Sequence, residues 1–357
     1  MRYKLEVYNI WELGKRANQE DSLFPEYNQQ TIDDRLFILC DGMGGHASGE
    51  VASSTVCRAM STSIANMCPD PEGAFTDEIL QQAICDAFDA LDSIAPDDGS
   101  PKKMGTTMTF LKLHANGATI AHMGDSRVYH VRPGQTADDT QILFVTEDHS
   151  LVNDLVKIGE LTPEEARTSR QKNVITRAMQ PHMERRPRAD IYHTVDIQPG
   201  DYFFMCSDGI LERWEDYHVR YCFSYAYGDD YTRVQNIINE TSDNSDNHTA
   251  IIVKILDVEG TAQLLVDDRG QNNMYGQQLN NESTMIPDYD QTVSRGVGQI
   301  VDSGPQFMQY DNTMRTGGPG AMNAAPMGTK PESITWFWLM LLTIVALLAV
   351  FLFLLLR

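Results

Sequence analysis

The chain has 357 residues, 28 of them basic and 50 acidic, for a net charge of −22. That balance argues against nucleic acid or anionic lipid headgroups as general partners and suits a cation-dependent protein. The six cysteines, Cys40, Cys57, Cys68, Cys85, Cys206 and Cys222, form no CxxC pair and mostly sit within apolar patterns, so they read as reduced core thiols.

The opening MRYKLEVYNIWEL alternates polar and apolar residues as a strand does and lacks the apolar block of a secretory signal, so export is not expected. Leu36 to Cys40 is an unbroken apolar run that reads as a core strand, and it gives way to Asp41 and then to four glycines within nine residues. Beyond Gly49, the residues Val51, Ala52, Val56, Ala59, Met60, Ile64 and Met67 recur at helical spacing and predict a long amphipathic helix. Further helices are expected at Asp77–Leu91 and Leu151–Ile158. Thr106–Leu113 and Ala118–Met123 flank His114-Ala115-Asn116-Gly117, whose Asn-Gly pair signals a hairpin. Another strand, Arg127–Val131, follows the Gly124-Asp125-Ser126 corner. Tyr202 to Cys206 is a second apolar run, ending in Ser207-Asp208-Gly209, and Asp246-Asn247-His248 leads into a third, Thr249 to Ile255. Strands in groups with tight turns, and helices between the groups, predict an α+β fold of packed antiparallel sheets with helices outside, not a βαβ fold.

After Asp257 the texture changes to Gln, Asn, Gly, Asp and Met with few contiguous apolar residues, which cannot bury enough surface to offset chain entropy. A disordered tether of about 75 residues, spanning ~45–50 Å as a flexible coil, is expected there. Ile334 to Leu356 then forms 23 uncharged residues, long enough as a helix of about 35 Å to cross a bilayer, with Trp336 and Trp338 at one interface and Arg357 at the other. The expected organisation is a globular domain over 1–256, a linker over 257–333 and one C-terminal transmembrane helix over 334–356. Such a single-pass, tail-anchored chain keeps its globular part in the cytoplasm. The linker repeats an acidic, polar, threonine, apolar pattern around Thr284, Thr292 and Thr313. These threonines are candidate phosphoacceptors for a partner kinase and docking points for a phosphothreonine-reading domain.

Three apolar runs therefore carry an aspartate at one end: Asp41, Asp208 and Asp246. The pair Glu20-Asp21, shortly after Arg16, and Asp125 in its glycine corner add further carboxylates. Oxygen ligands are those that Mg²⁺ and Mn²⁺ prefer, and two adjacent ions need a bridging carboxylate with several terminal ones. Only His46 and His248 fall near these positions, too few to favour zinc.

The ordered motifs RANQED (16–21), DGMGGHASGE (41–50), GTT (105–107), GDSRVY (124–129), TEDHSL (146–151), SDG (207–209) and DNHT (246–249) resemble the metal-dependent protein phosphatases of the 2C type in their bacterial form. The resemblance covers residues 1 to about 256. It implies an α-β-β-α sandwich with a dimetal site holding two Mn²⁺ or Mg²⁺ ions. Asp41 would bridge the ions and the Gly42 carbonyl would ligate one of them. Asp208 and Asp246 would complete the first ion's shell, Glu20 and Asp21 would serve the second, and Asp125 would attend a third, weaker ion. Arg16 would hold the phosphate. The implied reaction is attack of a metal-activated water on phosphoserine or phosphothreonine in proteins, without a phosphoenzyme, and the implied partners are substrates of a Ser/Thr kinase. A catalytically silent phosphoprotein-binding membrane scaffold is the alternative, and intact carboxylates weigh against it, because without metals they repel phosphate. The chain departs from relatives at Met43, where some eukaryotic forms carry a histidine and this chain has one only at His46, and at Met179-Gln180-Pro181, where a glycine usually follows the NVITRA run.

Overall fold

The computed structural model describes residues 1–44, 47–95 and 104–262, with three isolated pairs at 265–266, 272–273 and 308–309. His46, the linker threonines Thr284, Thr292 and Thr313 and the expected span Ile334–Leu356 lie outside the described residues, among which no helix is long and apolar enough to cross a membrane.

Two antiparallel sheets face each other. One runs in the order β1 (Arg2–Glu12), β12 (His248–Glu259), β11 (Tyr202–Cys206), β7 (Arg127–Arg132), β8 (Gln141–Val145). The other runs β10 (Asp190–Thr194), β6 (Gly117–Met123), β5 (Met108–His114), β3 (Leu36–Met43), β2 (Asp21–Phe24), with the short β4 (Gly105–Thr106) also paired to β3. Successive strand side chains alternate between faces. Phe37 and Leu39 of β3 thus meet Phe203 and Met205 of β11 and Ile251 and Val253 of β12 between the sheets. Ile38 and Cys40 point the other way, under α1 (Ala47–Met67) and α2 (Asp77–Ile94), against Val56, Met60, Ile84 and Phe88. Phe204, Cys206 and Ile252 face outward beneath α6 (Asp216–Phe223) and α7 (Asp230–Thr241), packing with Trp214, Val219, Phe223 and Ile237. The result is the four-layer sandwich the sequence led us to expect, and the covering of both faces of each sheet explains why its central strands read as unbroken apolar runs.

Some elements differ from expectation. Strand β3 does not end at Cys40. It continues through Asp41 and Gly42 to Met43 because its neighbours go on pairing, Asp21 with Asp41 on one side and Thr106 with Gly42 on the other. The β5–β6 hairpin turns one residue early: His114 pairs with Gly117, leaving Ala115 and Asn116 at the tip. Gly117 has φ +128°, and a Cβ there would lie 2.3 Å from the Thr194 carbonyl oxygen, so glycine serves the returning strand and not the turn. Helix α1 starts at Ala47, α2 runs on to Ile94, and α3 (Leu151–Lys157) stops one residue short. Between α3 and β10 the chain forms two further short elements, α4 (Pro163–Thr168) and β9 (Val174–Ile175).

Candidate active site

Antiparallel pairing gathers the carboxylates that the sequence scatters. Strands β2 and β3 set Asp21 directly opposite Asp41. Strand β11 ends beside the start of β12, Cys206 pairing with Ala250, so Asp208 and Asp246 lie at one end of a single ladder. The two sheets are tied together here. Ser207 Oγ donates to Asp21 Oδ2 at 3.0 Å, and the Glu20 N–H donates to Asn247 Oδ1 at 2.8 Å. Asn247 Nδ2 donates to the carbonyls of Leu13 and Asn18, at 2.9 and 3.0 Å, fixing the loop that carries Arg16.

Both backbone polar groups of Asp41 are held by the neighbouring Thr106-Thr107 segment. Its N–H donates to Thr107 Oγ1 at 2.9 Å, and its carbonyl accepts the Thr107 N–H at 2.8 Å and Thr106 Oγ1 at 2.9 Å. Thr107 Oγ1 in turn contacts Ser126 Oγ at 2.9 Å, linking the β3 carboxylate to the corner that bears Asp125. Two glycines next to these aspartates allow close approach of backbones. A Cβ on Gly42 would lie 2.2 Å from the Gly49 carbonyl oxygen and 2.4 Å from that of Glu20, and one on Gly209 would lie 1.9 Å from that of Asn247. The Asp-Gly pairs are therefore spacing devices: they let three loops converge on the carboxylates.

Glu20, Asp21 and Asp41 are buried, and Asp125, Asp208 and Asp246 are half-buried around them. Burial raises the Asp41 carboxyl well above the usual range, and the charges of Asp21, Asp208, Asp246 and Asp125 raise it further. Burial, with the Asp246 and Asp208 charges, lifts Asp21 to about 8 despite hydrogen bonds from Thr249 and Ser207. Asp208 is pushed up to about 7, first by burial and then by Asp246. Asp125 is likewise raised, by burial and by Asp208 and Asp148. Four carboxylates that suppress one another's ionisation form a site short of positive charge. Asp208 Oδ1 and Asp125 Oδ1 are buried without a hydrogen-bond partner. An all-oxygen donor set with orphaned oxygens fits Mg²⁺ or Mn²⁺. These carboxylates also spread more widely than one tight single-ion knot, since the trio of metal-type side chains whose ligand atoms lie within 4.8 Å of one another, among the described residues, is elsewhere. At the rim, Arg16 Nη2 donates to Asp246 Oδ2 at 2.5 Å.

That other trio is His122, His149 and Asp190. Arg177 already supplies its cation, with Nη1 lying 3.2 Å from His149 Nε2 and 2.8 Å from Asp190 Oδ1. His149 Nδ1 accepts the Gly124 N–H at 3.1 Å, so this cluster buttresses the Asp125 corner. His149 lies in the TEDHSL motif and Arg177 in the NVITRA run, and nothing in the sequence alone gives either a task. The same holds for Thr107, Ser207 and Asn247, which orient the carboxylates, and for Asp148, whose two oxygens bind Arg127 at 2.6 and 2.7 Å. The threonine pair of GTT and the residues flanking Asp208 and Asp246 were the available signals. The thiols of Cys40 and Cys206 are buried and pushed up by that burial, which makes both poor nucleophiles. All six cysteines are free, with Cys85 exposed and Cys68 half-buried.

A dimetal-type carboxylate site at the end of a four-layer sandwich has counterparts among known proteins. The protein phosphatase 2C family model matches residues 14–249, and the chain belongs to that family. It is similar to the serine/threonine protein phosphatase PstP of Mycobacterium tuberculosis, with 35% identity over 201 residues that make up 56% of this chain and 35% of PstP. Protein phosphatase PhpP of Streptococcus pneumoniae is 32% identical over 223 residues, 60% of this chain and 83% of PhpP. Among solved structures, the catalytic domain of PstP in complex with two manganese ions superposes with a TM-score of 0.57 at 28% identity, covering 72% of this chain and all of that one. The chain thus spans about a third of the length of PstP, the whole of its crystallised catalytic domain, and most of PhpP.

Proposed function

We propose that this chain is a metal-dependent protein phosphatase that hydrolyses phosphoserine and phosphothreonine esters. The observation that carries this reading is the pairing of Asp21 opposite Asp41, with Asp208 and Asp246 brought to the same end of the sandwich. Carboxylates placed so close repel each other, and the arrangement makes sense when divalent cations share them. Asp41 would be shared by two cations, with Asp208 and Asp246 completing the shell of one, Glu20 and Asp21 serving the other, and the Gly42 carbonyl ligating one of the two; Asp125 would attend a third. Bound there, such cations supply a water acidic enough to attack phosphorus and neutralise the phosphoryl oxygens.

The protein's own contribution is positional. Thr106 and Thr107 hold both the N–H and the carbonyl of Asp41, and Ser207 steadies Asp21 through its hydroxyl. Arg16 donates to Asp246 at the rim of the site, and a guanidinium fork at that place suits the non-bridging oxygens of a phosphate. Mn²⁺-dependent release of phosphate from p-nitrophenyl phosphate and from a phosphothreonine peptide, by the full chain, tests the reading. Binding of phosphopeptide without turnover at saturating Mn²⁺ would favour the silent scaffold instead.

Membrane tethering belongs to the same proposal and rests on the 23 uncharged residues Ile334–Leu356. A cytoplasmic catalytic domain, a linker carrying Thr284, Thr292 and Thr313 as phosphoacceptors, and a phosphothreonine-reading partner for that linker complete it. Mass spectrometry of the linker from cells carrying Asp208→Ala reads the last point. Unmodified threonines in such cells would refute it.

A further inference from the structure

In a chain of net charge −22, one surface is built the other way. A cavity of about 580 Å³ is lined by Thr176, Arg177, Met183, Arg185, Arg186, Pro187 and Arg188, with four arginines and no carboxylate in its wall. Two of the four are anchored from behind. Arg177 is held by Asp190 at 2.8 Å, and Arg186 by Asp89 at 2.6 Å and Asp92 at 2.8 Å, with its guanidinium 5.2 Å above the Phe88 ring. Arg185 and Arg188 are exposed and make no ion pair among the described residues. Anchored guanidinium groups lose little freedom when they bind an anion, and exposed ones add charge and planar N–H forks suited to carboxylate or phosphate.

Backbone pairing ties the segment that lines the cavity to the strand that carries Asp41. Met179 and Thr106 exchange both backbone hydrogen bonds, at 3.0 and 2.9 Å, and Thr106 pairs on its other edge with Gly42. Two interstrand spacings of about 4.8 Å separate Gly42 from Met179. The cavity residues start three positions before Met179, at Thr176, and resume four positions after it, at Met183. A group in the cavity therefore lies roughly 10–20 Å from the proposed reaction centre, a distance an extended peptide covers in about three to six residues at ~3.3 Å each.

We propose that the arginine cavity is a specificity subsite of the phosphatase proposed above. It takes a second anionic group, an acidic side chain or another phosphate, three to six residues from the phosphorylated residue of the protein substrate. Substrates would then be segments that are phosphorylated twice or are acidic beside the phosphosite. Arg185 and Arg188 supply the charge that selects them, Arg177 and Arg186 add positioned N–H donors, and the carboxylate site performs the hydrolysis.

The test uses the full chain with Mn²⁺ and three substrates. These are p-nitrophenyl phosphate, a phosphothreonine peptide with aspartate and glutamate four and five residues from the phosphothreonine, and the same peptide with asparagine and glutamine there. The wild-type chain should show a KM for the acidic peptide lower by roughly tenfold, the scale of one charge-assisted hydrogen bond. Arg185→Ala with Arg188→Ala should erase that difference while turnover of p-nitrophenyl phosphate stays the same, and Arg185→Lys with Arg188→Lys should keep most of it. Arg185→Glu with Arg188→Glu should reverse the preference. Equal KM values for the two peptides in the wild-type chain, or a preference that survives the charge reversal, would overturn the proposal while leaving the phosphatase reading intact. Absence of p-nitrophenyl phosphate turnover in the wild-type chain would instead overturn the phosphatase reading, and this proposal with it.

Discussion

Replacing Asp208 with asparagine should move stability and activity in opposite directions. Asp208 sits just beyond β11 at the start of α5 (Asp208–Leu211), half-buried, with Oδ1 unpartnered and its carboxyl pushed up to about 7 from its ordinary 3.8. Three pH units of differential interaction are worth about 4 kcal/mol at ~1.4 kcal/mol per unit. That is a ceiling, because the repulsion is shared with Asp21, Asp41 and Asp246 and solvent reaches the side chain. In EDTA at pH 8, Asp208→Asn should therefore stabilise the chain, by about 1 kcal/mol in urea denaturation. Mn²⁺ at a hundredfold excess over its Kd should stabilise the wild-type chain by about 2.7 kcal/mol, and the variant by far less. Turnover of p-nitrophenyl phosphate should fall by roughly a hundredfold or more, since loss of a ligand removes an ion and its activated water together. An Asp208→Asn variant that is less stable than wild type in EDTA would refute the electrostatic reasoning, and one with wild-type turnover would refute the role of this carboxylate in holding metal.

The raised carboxyls of Asp21, at about 8, and Asp208, at about 7, hold protons in the folded chain that the unfolded chain has released. Stability of the metal-free protein should hence fall as pH rises from 6.5 to 8, and a melting temperature that rises across this window would contradict that sign. The window is chosen because His114 and His122, held by burial at about 3 and about 4, act in the opposite sense below about 6.5, and Lys112, lowered to about 8, does so above 8. Gly42→Ala has no room for its methyl group between the Gly49 and Glu20 carbonyls and should cost about 2 kcal/mol or more in urea denaturation. Cys40→Ala should cost some stability and leave turnover in place; loss of turnover in a folded variant would revive a thiol mechanism. Removing residues 334–357 should shift the protein from the membrane to the soluble fraction on cell fractionation with its p-nitrophenyl phosphate turnover unchanged, and continued membrane association would count against the anchor.

The strands at Leu36, Tyr202 and Thr249 were legible because each is covered on both faces, which writes an unbroken apolar run into the sequence. Helix α1 was legible from its 3.6-residue repeat. What depended on distant partners was not. The continuation of β3 through Asp41 and Gly42 comes from pairing with Asp21 and Thr106, and nothing near Asp41 in sequence announces either partner. A Glu-Asp pair ordinarily reads as a solvated surface, yet Asp21 is only 3% exposed because β2 closes the edge of its sheet at the site. Helices α6 and α7 went unread because their outer faces carry exposed Tyr217, Tyr221 and Tyr231, which blur the amphipathic pattern. The aspartates could be picked out as strand-end carboxylates, but their mutual proximity follows only from the antiparallel register.

Anomalous diffraction at the manganese edge, from crystals of the full chain grown with Mn²⁺, tests the central claim most directly. The expected result is two strong peaks about 3.5–4 Å apart, both within about 2.2 Å of an Asp41 carboxylate oxygen, with Asp208 and Asp246 on one of them. Peaks absent from Asp41, or a lone ion seated between His122, His149 and Asp190, would contradict the dimetal site.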